Sequence, residues 1–185
     1  MIKTKHDLIN YICEDSKNYQ SQIGITNRLR CNFFSNTIND QKYIWKYIKT
    51  LRYLEYHTNN NAFHNKILTK YYLCKLRKYG YKTGFQIPPN TVGKGLTIWH
   101  WGPIIINPHA QIGQNCTLNP MVVIGHKNHK GKAPVIGDNV FIGGGSYIIG
   151  PVTIGNNVII GQNVVVTKDI RDNAVIVSQT YREIK

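Results

Sequence analysis

From residue 106 to residue 166 an aliphatic side chain returns at every sixth position: Ile106, Ile112, Leu118, Ile124, Ile136, Ile142, Ile148, Ile154, Ile160 and Val166, with Lys130 alone breaking the series. A helix repeats near 3.6 residues and a strand at 2, so neither alone sustains a period of six. A stack of short strands joined by corners does, because each hexapeptide supplies one strand and one corner and its first residue always faces the interior. Three such sides close a triangular turn of about eighteen residues, and successive turns stack at about 4.8 Å through parallel hydrogen bonds. Glycine follows the aliphatic at 113, 125, 137, 143, 155 and 161. A corner explains this either by an unusual backbone dihedral or by close approach of the next turn. Four positions after the aliphatics stand mostly small or aliphatic residues, among them Cys116, Val140, Ser146, Val152, Val158 and Val164. Cys116 is therefore expected inside and inert.

The frame fails twice. Ile98 and Ile106 are eight apart, so two extra residues sit near Pro103 or Ile104. Lys130 falls within HKNHKGKAP, a polar segment that cannot be core and reads as a loop extruded near 126–134. Loops leaving a rigid repeat are where binding chemistry is commonly placed.

The front of the chain follows a helical pattern. Ile44, Tyr47, Ile48, Leu51 and Leu54 share one helical face, with Asn39 or Asp40 as the cap. Phe63, Ile67, Tyr71 and Cys74 share another, read as a packing surface, in a helix that should stop at Gly80. A further helix is expected over about residues 5 to 20. Residues 1–94 hold 16 of the 23 Lys and Arg but only 5 of the 9 acids. Such a balance attracts polyanions. No zinc-finger spacing, RNP-like motif or Arg-rich tail accompanies it, so nucleic acid is not the expected partner. There is no apolar run long enough for a membrane span, and the first residues lack the apolar segment of a secretory signal, so a cytoplasmic protein is expected. The four cysteines show no CxxC pair or dense framework, which suits free thiols.

The run GLTIWHWGPIIINPHAQIGQNCTL, followed by IGDNVFIGGGSYIIGPVTIGNNVIIGQNVVVTKDI, resembles the hexapeptide-repeat acyltransferases, and within them the serine acetyltransferase-like branch. The resemblance covers roughly residues 80 to 180. It implies a mainly β protein: a left-handed parallel β-helix over 83–185 behind an α-helical region over 1–82. The left hand comes from the resemblance alone, because the rule for parallel crossovers gives a right-handed coil. It further implies a homotrimer with acetyl-CoA held between subunits, and a histidine base that matches His100 in IWHWG. A hydroxyl is a weak nucleophile toward a thioester, and an imidazole near its neutral-pH titration range can take the proton. By the same resemblance Gly143, Gly144 and Gly145 leave backbone open to the pantetheine arm, with Gly125 and Gln162 at neighbouring levels, and Lys168 and Arg182 meet the CoA phosphates. Trp99 and Trp101 would wall the acceptor, and His126 and His129 would touch it.

The chain also departs from that branch. Gln86, Trp99 and Ala133 stand where serine acetyltransferases carry an aspartate that orients the base, another beside the histidine, and a second histidine in the long loop. Gln86, or a backbone carbonyl, is left to hold the ring of His100. Where GNPAK or GVPAR is usual near the end, SQTYR stands here. The leading expectation is accordingly acetyl-CoA-dependent O-acetylation of a saccharide hydroxyl during bacterial surface-polysaccharide synthesis, with peripheral association with a lipid-linked glycan as a further expectation. The alternatives are serine O-acetylation and a non-catalytic β-prism serving as scaffold or binding module. Carbonic anhydrases on the same prism bind zinc through three histidines, a pattern that His126 and His129 do not reproduce, so no metal is expected.

Overall fold

The structure, a computed structural model, describes residues 1–19, 40–60, 62–127 and 132–178. Among the described residues, three helices come first. α1 spans Lys5–Lys17 and begins on a capping box in which the Thr4 hydroxyl accepts from the Asp7 N–H while the Asp7 carboxylate accepts from the Thr4 N–H. α2 spans Asp40–Thr58 and α3 spans Phe63–Thr83. Asn39 lies outside the described residues. On α2 the expected face, Ile44, Tyr47, Ile48, Leu51 and Leu54, is buried.

α3 corrects two expectations. It runs past Gly80 and stops at Gly84, whose φ of 83° is left-handed and whose N–H bonds the Gly80 carbonyl at 2.7 Å. Gly80 is needed for closeness instead: a Cβ there would lie 2.9 Å from the Phe85 carbonyl oxygen. The second correction is the face. Phe63, Ile67, Tyr71 and Cys74 do share a side, but it is the solvent side, with Phe63 79% and Ile67 60% exposed. α3 packs instead through Leu76 and through Tyr72, whose ring stacks on those of Tyr53 and His57. Aromatic stacking and a Leu on the opposite side outweigh the more regular apolar spacing.

Among the described residues thirteen short parallel strands follow, and they form three sheets. The first holds β1 (Phe85–Gln86), β3 (Ile104–Ile106), β6 (Val122–Gly125), β9 (Tyr147–Ile149) and β12 (Val165–Val166). The second holds β4 (Gln111–Ile112), β7 (Val135–Ile136) and β10 (Thr153–Ile154). The third holds β2 (Thr97–Ile98), β5 (Thr117–Leu118), β8 (Phe141–Ile142), β11 (Ile159–Ile160) and β13 (Val175–Ile176). Consecutive strands never pair. Each bonds the equivalent strand one turn away, which makes a three-sided coil. All ten aliphatics of the six-residue frame are buried and belong to one core cluster. Ile106 pairs with Ile124, but Ile124 pairs with Ile148, so the second of these turns is six residues longer. Those extra residues fall between β6 and β7, where 128–131 are outside the described set. Beyond Ile170 the described residues continue the coil: Ile170 bridges to Ile154 and β13 pairs with β11.

The first turn of the coil is closed from below by polar side chains of α1, of α2 and of Tyr19 just beyond α1. The Tyr19 hydroxyl accepts from the Ile98 N–H at 2.7 Å and donates to the Ile98 carbonyl at 3.2 Å. The Tyr47 hydroxyl treats Ile87 the same way. Arg52, wholly buried, donates to Asp15 at 2.7 Å, to Glu55 at 3.0 Å, and to the Val92 and Gly93 carbonyls. Asp15 in turn accepts from the Leu96 N–H and Glu55 from the Asn90 N–H. Backbone groups that would otherwise form an open sheet edge are thereby satisfied.

Candidate active site

The corners differ in how they use their residues. Where the second sheet turns into the third, Gly93, Gly113, Gly137 and Gly155 stack one above another. A Cβ on Gly113 would lie 2.5 Å from the Gly137 carbonyl oxygen, and one on Gly137 would lie 2.8 Å from that of Gly155. These glycines therefore serve close approach. The unusual dihedral belongs two residues further on, to Asn115, Asn139, Asn157 and Asn173, with φ of 55° to 58°. Asparagine tolerates that region better than most residues, and here the amides form a ladder, each Nδ2 donating to the next Oδ1 at 3.0 to 3.2 Å.

At the corner from the third sheet into the first, the turn after β5 has three residues, Asn119, Pro120 and Met121, and the turn after β8 has Gly143, Gly144 and Gly145 before Ser146. The turn after β2 has five, Trp99 to Pro103. The two extra residues thus fall inside the segment that carries His100, and they push it out of the line of the coil. Gly102 closes the detour: its φ is 141°, its N–H bonds the Thr83 carbonyl at 2.8 Å, and a Cβ on it would meet Pro120 at 2.9 Å. His100 is exposed, and Trp99 and Trp101 beside it are 48% and 38% exposed. The Trp99 carbonyl accepts from the Gln41 amide of α2. A cleft of about 340 Å³ adjoins Trp99, lined by Glu14, Lys17, Thr97, Asn115 and Thr117 among others.

Register places the rest. Asn119, Gly143 and Gly161 lie one above another over Trp99, since the Asn119 N–H bonds the Ile142 carbonyl and the Gly143 N–H bonds that of Ile160. Gly145 bonds the Pro120 carbonyl, and Asn163, next to Gln162, bonds that of Gly144. Trp99, His100, Trp101, Gly143, Gly144, Gly145 and Gln162 therefore share one corner column. Gly125 does not join them. It pairs with Ile149 on the far side of the first sheet, at the corner toward the second sheet, and a Cβ there would meet only Ile149, at 3.7 Å. His126, bonded to the Asn107 amide, and Lys168, two residues beyond Val166, belong to that other corner. Gln86 is exposed on β1, beside Ile105 at the lower end of the first sheet. His129 and Arg182 lie outside the described residues.

Two further residues of this corner escaped the sequence reading. Met121, 58% exposed, has a φ of 64°, unusual for a bulky side chain, and sits level with Pro103, whose carbonyl it bonds at 2.6 Å. Asn119 fixes the same turn through its side chain to the Ile142 carbonyl at 2.9 Å. Counting the repeat forward from Leu118 would have placed both on the corner of Gly143. Cys116 is buried, and burial pushes its thiol up to about 11, so it is no nucleophile at neutral pH. Among the described residues, no group of three or more His, Cys, Asp or Glu is arranged to hold a metal ion, and no helix is long and apolar enough to cross a membrane.

Coil, repeat and corner together define the left-handed parallel β-helix of hexapeptide repeats with an N-terminal helical region. Residues 133–168 match the family described as bacterial transferase hexapeptide (six repeats). A serine acetyltransferase of Mycobacterium tuberculosis is 36% identical over 98 residues, 51% of this chain and 43% of that protein, so the chain spans less than half of this relative. Among solved structures, serine acetyltransferase isoform 3 of Entamoeba histolytica in complex with cysteine superposes with a TM-score of 0.67 at 23% identity, over 96% of this chain and 61% of that one. A serine acetyltransferase in complex with CoA gives 0.62 at 17% identity, over 94% and 68%.

Proposed function

We propose that the chain is an acetyl-CoA-dependent O-acetyltransferase. The observation that carries the proposal is the shared corner column: an exposed imidazole stands below three successive glycines on a ledge without side chains. His100 takes the proton of the acceptor hydroxyl, whose oxygen attacks the thioester carbon; the thiolate of CoA leaves and is protonated. General-base action of this kind contributes about 10²- to 10⁴-fold. The Gly143 and Gly145 amides are committed to the Ile160 and Pro120 carbonyls, so within the triplet the Gly144 amide is the candidate donor to the developing oxyanion. The CoA complex of a structural relative supports the donor. Lys168 meets CoA phosphate only if the second corner of another subunit comes to the first, and the assembly proposed is a homotrimer. Its support is apolar surface on both sheets that flank the His100 corner: Ile105, Tyr147 and Val165 on one, Phe141, Ile159 and Val175 on the other, each at least 38% exposed.

L-serine is the acceptor that the name of the sequence relative supports. A saccharide hydroxyl is the second reading, supported by the exposed Trp99 and Trp101 beside His100, whose faces suit sugar C–H groups. The deciding experiment incubates purified protein and acetyl-CoA with L-serine and, separately, a glycan panel, and weighs the products by mass spectrometry. His100→Ala should fold and assemble normally while transfer falls at least about a hundredfold. Near-normal turnover in that variant refutes the mechanism, and no transfer to either acceptor class refutes the function.

A further inference from the structure

The outward face of α3 remains unexplained by acyl transfer. Along it Phe63, Ile67, Cys74 and Tyr81 recur at helical spacing, pointing away from α2, and Phe63 and Tyr81 are 79% and 90% exposed. The stripe is bordered by Lys66, Lys70 and Arg77 on one side and by Lys75, Lys78 and Lys82 on the other, and the whole helix contains no acid. Lys75 lies over the Tyr71 and Tyr72 rings and Lys82 over Tyr43, contacts that leave their charge in place. A solvated surface helix would mix both signs and avoid an aromatic ridge.

We infer that α3 is a docking surface for an anionic lipid bilayer, lying in the plane of the interface with Phe63, Ile67 and Tyr81 inserted and the cations at the level of the phosphates. An apolar ridge between basic borders is what such a helix requires, and at about 1.5 Å per residue its length of about 31 Å offers the ridge along its whole extent. Charge complementarity selects the occupant. A second copy of the chain on this face would bring six cations against six without a single acid. A soluble polyanion would engage the cations and leave Phe63 and Ile67 in water.

The test is co-sedimentation of the purified full chain with phosphatidylcholine vesicles that contain or lack phosphatidylglycerol. Binding is expected only to the anionic vesicles and should weaken with salt. Phe63→Ser with Ile67→Ser should reduce it at least about tenfold, and Lys66→Glu with Lys70→Glu by a similar factor. Both pairs are at exposed positions, and unchanged thermal melting verifies the fold. The inference is overturned if the wild type ignores anionic vesicles, or if the serine pair binds them as well as wild type does, which marks the face as a site for polyanions in general. It is also overturned if the serine pair lowers the sedimenting mass in the absence of lipid, which assigns the face to a second copy. Acetyl transfer to a soluble acceptor should be the same in all these variants, so the outcome does not depend on the catalytic proposal.

Discussion

The two corners that flank the third sheet are built from the same repeat and have been put to opposite uses. At one, four turns spend a glycine on contact with the next turn and four hold an asparagine in the left-handed region, and the amides join into a ladder. Its amides are bonded from turn to turn. At the other, the ladder is missing. The left-handed positions are held by Met121, Gly145 and Asn163, the turn after β2 carries two extra residues, and an imidazole and two indoles stand in solvent. Regularity goes with close packing, and its interruption is where we propose that the chemistry sits, a separation that rigid scaffolds commonly show.

This contrast can be broken by substitution. Gly137→Ala should cost the most stability, about 2 to 3 kcal/mol, because its methyl would meet the backbone of the next turn; chemical denaturation measures the loss, and activity per folded molecule should be retained. Asn157→Ala removes two ladder bonds and a tolerated left-handed residue, and about 1 to 2 kcal/mol should be lost. At the irregular corner the sign reverses. Met121→Asn places a residue suited to a φ of 64° and should gain about 1 kcal/mol, with a fall in transfer rate if the Met121 side chain touches the acceptor. Gly125→Ala should be nearly silent in stability, within about 0.5 kcal/mol, since only Ile149 lies near the added methyl. Any effect on turnover would then report a ligand at the second corner. A Gly137→Ala protein as stable as wild type would show that close stacking does not hold the regular corner together.

Much of this was legible before the coordinates. The six-residue frame identified the inward residues because a coil of fixed turn length converts sequence spacing directly into direction. The same frame exposed the long turn before Val135 and the surplus near Pro103. It did not reveal which corner each glycine occupies, so Gly125 was grouped with Gly143 although a whole sheet face separates them. The helices were harder to read. Periodicity grouped Phe63, Ile67, Tyr71 and Cys74 correctly on one side but gave no means of telling inside from outside, because a stripe has the same spacing whichever way it points.

What the sequence determined by itself was the prism, since an aliphatic at each sixth position can be buried in few other ways. What only the tertiary structure decided was everything that depends on contacts between distant segments. Arg52, Asp15, Glu55, Tyr19 and Tyr47 look like ordinary polar residues of a basic helical region, and they become the seal of an open sheet edge only when α1 and α2 meet the first turn. The column of His100 and Gly143 likewise arises from hydrogen-bonded register. Local spacing fixes the direction of a side chain, while its neighbour is fixed by which turn lies above it.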